Sequence, residues 1–223
     1  MKRQKYDNIP LFPVRCWNFQ ASDALVSDTL DKVKKLDYRR YNEPAGVGTS
    51  NDIHRREEFR GLHSWFQQCV DTIHADNGWQ CDRLVVNKSW VNRSDAKGGE
   101  HHEPHRHPMS YISGIFYLTE GPPTVFLDPI ALREWQQFHL DGGPIVDNRQ
   151  FIHTGAGGCF IFPSWLIHAS VENHEDIDRY TIAFNTFPQG NLNSGGWDQP
   201  MVTVDVTSGW SQLGPLRLSD YAG

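Results

Sequence analysis

A chain of 223 residues with 38% hydrophobic content, eight Trp and twelve Phe is long enough to bury a sizeable core, which argues for one folded domain and against disorder. The formal charge of −6, with Lys and Arg scattered along the chain, disfavours a nucleic-acid partner, whose phosphates require a clustered basic face. No apolar run approaches the roughly eighteen residues of a membrane span, and the opening "MKRQK" carries no apolar signal region, so the expectation is a cytoplasmic protein without a membrane partner.

In chain order, "IPLFPVRCWNF" (9–19) mixes proline with large apolar residues and predicts an edge strand. "SDALVSDTLDKVKKL" follows with Val26, Leu30 and Val33 at helical spacing and Ser22 placed to cap the start. "REEFRGLHSWFQQCVDTIHADNG" repeats the helical pattern through Phe59, Leu62, Phe66, Val70 and Ile73, with Asn77-Gly78 as the stop. Its His63 and His74 read as helix-surface residues. From Asp82 the period shortens, and "RLVVNKSWVN", "YISGIFYLT", "TVFLD", "CFIFP", "LIHASVE" and "RYTIAFNTF" alternate with Gly, Pro and Asn turns as short strands. A long connection from Pro129 to Gln150 has the length of a lid or binding loop, and Gln189 to Gly196 also reads as loop.

Helices first and strands afterwards predict a mainly β fold with supporting α-helices. We expect a single domain over 1–223: an N-terminal strand and two helices over 1–81, a barrel or sandwich core over 82–190, and a C-terminal extension over 191–223. Cys16, Cys69, Cys81 and Cys159 form no C-x-x-C pair and read as free thiols.

"GGEHHEPHRHP" (98–108) concentrates His101, His102, His105 and His107 in a chain with eleven histidines. If this stretch is a strand, His105 and His107 share a face and can flank one metal ion, whereas His101 and His102 lack that relation to the pair. A third imidazole is available at His168 in "GGCFIFPSWLIHAS", on another predicted strand. Three protein ligands would leave coordination positions open, as a catalytic metal requires. Arg179 heads the apolar strand "RYTIAFN". Should that strand line the same barrel, its planar guanidinium would suit a carboxylate, with the Thr181 hydroxyl on the same face.

Taken together, "SWVN", "PHRHPMSYISGIFYL", "FLDP", "FPSWLIHASVEN" and "RYTIAFN" resemble the Fe(II)- and 2-oxoglutarate-dependent oxygenases, in particular a bacterial and phage branch with an H-x-H-P motif followed by S-G-x-x-Y-L. The resemblance spans about Ser89 to Asn185. It implies a double-stranded β-helix, or jelly roll, with Fe(II) held by His105, His107 and His168, and with 2-oxoglutarate and O2 as cosubstrates of a hydroxylase-type reaction. It further implies that Arg179, with Thr181 beside it, holds the distal carboxylate of 2-oxoglutarate, that Tyr117 helps bind that same carboxylate, and that Asn92 serves the metal-proximal one. The superfamily's usual triad is His, a carboxylate and His. Here His107 takes the carboxylate position, which leaves Glu103 and Asp128 as alternative oxygen ligands.

Two other readings share the barrel. A three-histidine cupin would fit the glycine and H-x-H spacing, but the expected glutamate is replaced by Tyr111 or Ile112, Trp165 stands where a glycine belongs, and no Arg179 is needed. A non-enzymatic jelly-roll binding module would have no use for all four of His105, His107, His168 and Arg179. Trp90, Tyr111 and Trp165 are candidates for a dry wall around the metal. The substrate, a small molecule or a protein side chain, is not encoded in these motifs, and neither is the oligomeric state.

Overall fold

The computed structural model describes residues 13–40, 47–129, 149–193 and 202–206. Helix α1, Asp23–Val33, starts where Ser22 Oγ accepts a hydrogen bond from the Leu25 amide at 3.3 Å, satisfying one otherwise unpaired donor of the first turn. Helix α2, Arg60–Asn77, buries Leu62, Phe66, Cys69, Val70 and Ile73 and stops at Gly78, whose φ of 60° is the left-handed conformation glycine tolerates best. Phe59 belongs to a 3-10 turn just ahead of α2 and is also buried. His63 and His74 fasten the helix to the sheet, their Nε2 atoms lying 3.1 Å from the Val86 carbonyl and 2.9 Å from that of Cys81.

The strands are β1 Trp17–Gln20, β2 Arg39–Arg40, β3 Gly48–Ser50, β4 Arg83–Ser94, β5 Ile112–Tyr117, β6 Thr124–Leu127, β7 Arg149–Ile152, β8 Gly158–Pro163, β9 His168–Ser170, β10 Arg179–Leu192 and β11 Val202–Val204. A major antiparallel sheet runs in the order β1-β8-β5-β10-β4-β3-β2, with β11 against the end of β10; a minor sheet runs β7-β6-β9. These two antiparallel sheets form the jelly-roll core that the sequence predicts.

Alternation sorts the central strands into two faces. Tyr180, Ile182 and Phe184 of β10 join Phe116 of β5 in the core beneath the helices, where Phe66 stacks on Phe184 at 4.5 Å between ring centroids. Arg179, Thr181, Ala183 and Asn185 therefore fall on the opposite face. On β4 the register with β10 shifts between Asn185 and Thr186, so one extra residue lies in β4 around Asn87. Such a bulge reverses the parity of a strand. Leu84 and Val86 before it and Val91 after it all reach the helix-side core, while Lys88, Trp90 and Asn92 join the other face. Gly114 permits this packing, because a Cβ there would run into the Phe184 ring.

Several expectations are corrected. The first described strand is Trp17–Gln20, inside the predicted 9–19 segment only at its end, and residues 9–12 lie outside the described residues. Gln189 to Leu192 continue β10 because β11 supplies a pairing partner. Of the long connection, 130–148 lie outside the described residues, and its last two positions belong to β7. All four cysteines are free. Among the described residues no helix is long and apolar enough to cross a membrane.

Candidate metal and cosubstrate site

The H-x-H stretch is not a continuous strand. His105 forms a single antiparallel bridge with His168, its amide and carbonyl exchanging 2.9 Å hydrogen bonds with those of His168, and the His107 amide donates to the Ser164 carbonyl at 3.0 Å. Cross-chain bonds to β9 and to the turn before it aim these rings, in place of strand alternation. The outcome matches the expectation by another route: one ligand nitrogen from each of His105, His107 and His168 lies within 4.8 Å of the others. Among the described residues no carboxylate joins them. Glu103 instead approaches His101 at 3.4 Å with its side chain 60% exposed, and Asp128 also stays outside the group.

Hydrogen bonds at Nδ1 decide which nitrogen faces inward. His105 Nδ1 lies 2.7 Å from the Glu103 carbonyl, His168 Nδ1 lies 3.1 Å from the Leu166 carbonyl, and His107 Nδ1 lies 2.7 Å from Asn185 Oδ1 and 2.9 Å from Ser113 Oγ. A carbonyl or amide oxygen only accepts, so each Nδ1 carries the proton and each Nε2 presents a lone pair. Burial drives the same way: it pulls the pKa of His107 down to about 4 and that of His168 to about 3, with the neighbouring His105 adding to both. Both rings are thus neutral at physiological pH, the state a metal ligand needs. Three inward Nε2 lone pairs with no competing acid fit a divalent transition metal.

Ser113 extends the support around His107. Its hydroxyl lies 2.8 Å from Ser164 Oγ and 2.9 Å from Asn185 Oδ1 inside a fully buried pocket. Aromatic rings close the dry side, with Phe162 and Phe126 centred 4.8 and 5.6 Å from His168 and Trp90 centred 5.4 Å from His107. Tyr111 and Trp165 do not contribute to that wall: they are 46% and 52% exposed, and Tyr111 packs on Trp79. Sequence reasoning missed His102. It lines the same cavity, half-buried, its ring centred 5.7 Å from His105 and its pKa lowered to about 3 by desolvation and by the neighbouring His105 and Arg179. Nothing in the spacing flags it, because its place is set by pairing with Ser170, whose Oγ accepts from the His102 amide at 2.7 Å and whose amide donates to the His102 carbonyl at 3.2 Å. His101 stays outside, bonded to the Gly99 carbonyl.

Arg179 opens into this cavity from the first residue of β10. It is 5% exposed, donates from Nε to the Pro122 carbonyl at 3.2 Å, and lies with its guanidinium carbon 5.5 Å from the Tyr117 ring centre. Gly121, at φ 153°, leaves room for the arginine stem. No carboxylate pairs with it among the described residues, and burial pulls its pKa below the ordinary value. A cation in that position calls for an anionic ligand. Thr181 and Asn92 face each other across β10 and β4 in the same cavity, and Asn92 Oδ1 accepts from Thr49 Oγ1 at 3.3 Å. Tyr117 pairs with Thr181 across β5, but its hydroxyl is committed to Thr124 Oγ1 at 2.6 Å. It is Thr124 that lines the cavity.

The cavity around the histidines and Arg179 measures about 90 Å3, and an outer one of about 240 Å3 shares Trp90, Asn92 and His102 with it. One cavity of the jelly roll thus brings together three histidine nitrogens and a buried arginine that pairs with no carboxylate among the described residues, an arrangement suited to a metal ion with an anion beside it.

Comparison with known proteins narrows that class. Residues 88–185 match the family model described as "Putative 2OG-Fe(II) oxygenase". Similar solved structures include the non-heme α-ketoglutarate-dependent epimerase SnoN from nogalamycin biosynthesis, at 13% identity over 87% of this chain and 90% of that one, with a TM-score of 0.63. They also include a prolyl-4-hydroxylase from Pseudomonas putida, at 11% identity over 79% and 94%, TM-score 0.59. HygX from Streptomyces hygroscopicus, solved with nickel and 2-oxoglutarate bound, aligns at 13% identity over 78% and 83%, TM-score 0.58. At such identities these likenesses speak for the fold. No curated protein matches in sequence. The match to Fe(II)- and 2-oxoglutarate-dependent oxygenases falls on the barrel core of this chain, residues 88–185.

Proposed function

We propose that this protein is an Fe(II)- and 2-oxoglutarate-dependent oxygenase in which His105, His107 and His168 hold the metal and Arg179 holds the far carboxylate of 2-oxoglutarate. The single observation that carries the reading is Arg179, a buried guanidinium with no carboxylate partner among the described residues, in the cavity of the three imidazoles. A cupin that does not use 2-oxoglutarate gives that cation no purpose.

When bound, Fe(II) supplies the oxidative decarboxylation of 2-oxoglutarate by O2 and the oxidation of a substrate C–H bond. The chain supplies the rest. Neutral imidazoles leave the two positive charges of the ion uncompensated, so the site favours a dianion. Arg179 fixes one end of that dianion by a fork of charge-assisted hydrogen bonds, with the Thr181 and Thr124 hydroxyls beside it. Tyr117 supports from behind, its ring against the guanidinium and its hydroxyl orienting Thr124. Asn92 is placed to donate to the metal-proximal carboxylate. Phe126, Phe162 and Trp90 keep bulk water from the reacting centre. The substrate oxidised is a small molecule or a protein side chain.

Aerobic incubation of the purified chain with Fe(II) and 2-oxoglutarate tests this reading. Succinate should form in step with 2-oxoglutarate loss, and His168→Ala should neither retain Fe(II) nor form succinate. Full turnover by His168→Ala would remove that residue from the site, and a metal-loaded wild type that neither binds nor consumes 2-oxoglutarate would overturn the function.

A further inference from the structure

The outer cavity is lined by Val47, Thr49, Asn51, Lys88, Trp90 and Asn92, with His102 and Asn185 completing it. Its polar groups follow from strand register. Arg179 lies deepest on β10; then come the rungs Thr181 with Asn92, Ala183 with Trp90, and Asn185 with Lys88. Six residues of strand put roughly 20 Å between the Arg179 and Asn185 positions. One cation therefore stands at each end of the ladder, and a single small dianion cannot reach both. The bulge near Asn87 puts Lys88, Trp90 and Asn92 on the cavity face together, with Lys88 exposed at the mouth; without it they would face the helices.

The lining has a chemical bias toward hydrogen-bond donors. Lys88 forms no ion pair among the described residues and lies with Nζ 6.0 Å from the Trp90 ring centre. Asn185 spends its Oδ1 on His107 and Ser113, which leaves its NH2 group to face the cavity. Asn92 spends its Oδ1 on Thr49 and its NH2 group is already assigned to 2-oxoglutarate, so it offers no acceptor to a cation here. No Asp or Glu lines the space among the described residues. A cationic ligand finds no counter-charge here, and an apolar ligand would strand several donors without partners. The volume of about 240 Å3 is below the roughly 300–1,000 Å3 of drug-sized ligand sites.

We propose that this cavity is the primary-substrate site and that it selects a small, oxygen-rich, carboxylate-bearing molecule, its acid group held at the Lys88 and Asn185 rung and its body lying along Trp90 toward His102 and the metal. The inference rests on the oxygenase reading and adds the substrate class to it. Asn185 would touch both partners, the substrate through its NH2 group and the ligand His107 through its oxygen.

Calorimetric titration of the full chain, loaded with Zn(II) as a redox-inert ion and then with saturating 2-oxoglutarate, tests it with matched probes: D-gluconate against D-glucose, and benzoate against benzylamine. Each acid should bind about tenfold or more tightly than its counterpart, with affinity falling as NaCl rises. Lys88→Glu should weaken the acids by a further tenfold or so, and Lys88→Met by less in the same direction. Equal binding within each pair, or acid affinity unmoved in Lys88→Glu, would overturn the substrate class while the bound 2-oxoglutarate left the oxygenase reading standing. Failure of 2-oxoglutarate itself to bind would overturn both.

Discussion

Replacing Arg179 by Met separates what this side chain does for the ligand from what it does for the fold. Arg179 is 5% exposed and, among the described residues, its hydrogen bond runs from Nε to the Pro122 carbonyl, so the terminal nitrogens are left for a ligand. A forked pair of charge-assisted hydrogen bonds at about 1.5–3 kcal/mol each would give up about 3–6 kcal/mol on truncation, a roughly 10²- to 10⁴-fold rise in the Kd of 2-oxoglutarate. Stability should move the other way. In the ligand-free protein the desolvated cation is uncompensated, and Met fills similar space without charge at the cost of the bond to Pro122, so the ligand-free variant should melt at or above wild type. Thermal melts with and without metal and 2-oxoglutarate read both effects: wild type gains stability on loading, whereas the variant keeps its metal but gains little from 2-oxoglutarate. Undiminished 2-oxoglutarate affinity, or a ligand-free variant that melts many degrees lower, would refute the reasoning.

Asn185→Ala removes the nearer of the two oxygens at His107 Nδ1, leaving Ser113 Oγ, and should weaken Fe(II) binding by about 10-fold, the low end of the range for losing such an outer support; metal titration by competition checks it, and Asn185→Asp, which restores an acceptor, should recover most of the loss. The metal-free protein should lose stability on acidification. His102, His107 and His168 have folded pKa values of about 3, 4 and 3, below the unfolded value near 6.5, so protons favour the unfolded chain as pH falls through 6.5 toward 4. Each contributes about 2 kcal/mol by pH 5. Urea unfolding at pH 7 and pH 5 should show that loss, and a flat profile would contradict the assigned neutral rings. Gly114→Ala drives a methyl into the Phe184 ring and should cost about 1–3 kcal/mol in chemical denaturation.

The helices and most strands were legible because their signals are local. Ser22 caps α1 by its own side chain, the α2 stripe follows the 3.6-residue period, and the β10 alternation separates Ile182 and Phe184 from Arg179 and Thr181. The histidine trio was legible for a partly mistaken reason, since alternation within one strand was expected where a bridge to His168 does the aiming. What the sequence hid are features set by tertiary pairing. His102 reaches the cavity because its backbone pairs with Ser170, β10 runs on to Leu192 because β11 pairs with it, and the β4 bulge that turns Lys88 toward the cavity leaves no compositional mark.

The most direct test of the account is an anaerobic titration of Fe(II) and then 2-oxoglutarate into the purified chain, following the visible charge-transfer absorption of the iron chelate. The band should appear on adding 2-oxoglutarate and saturate at one equivalent per site. Iron that binds without producing the band would contradict it.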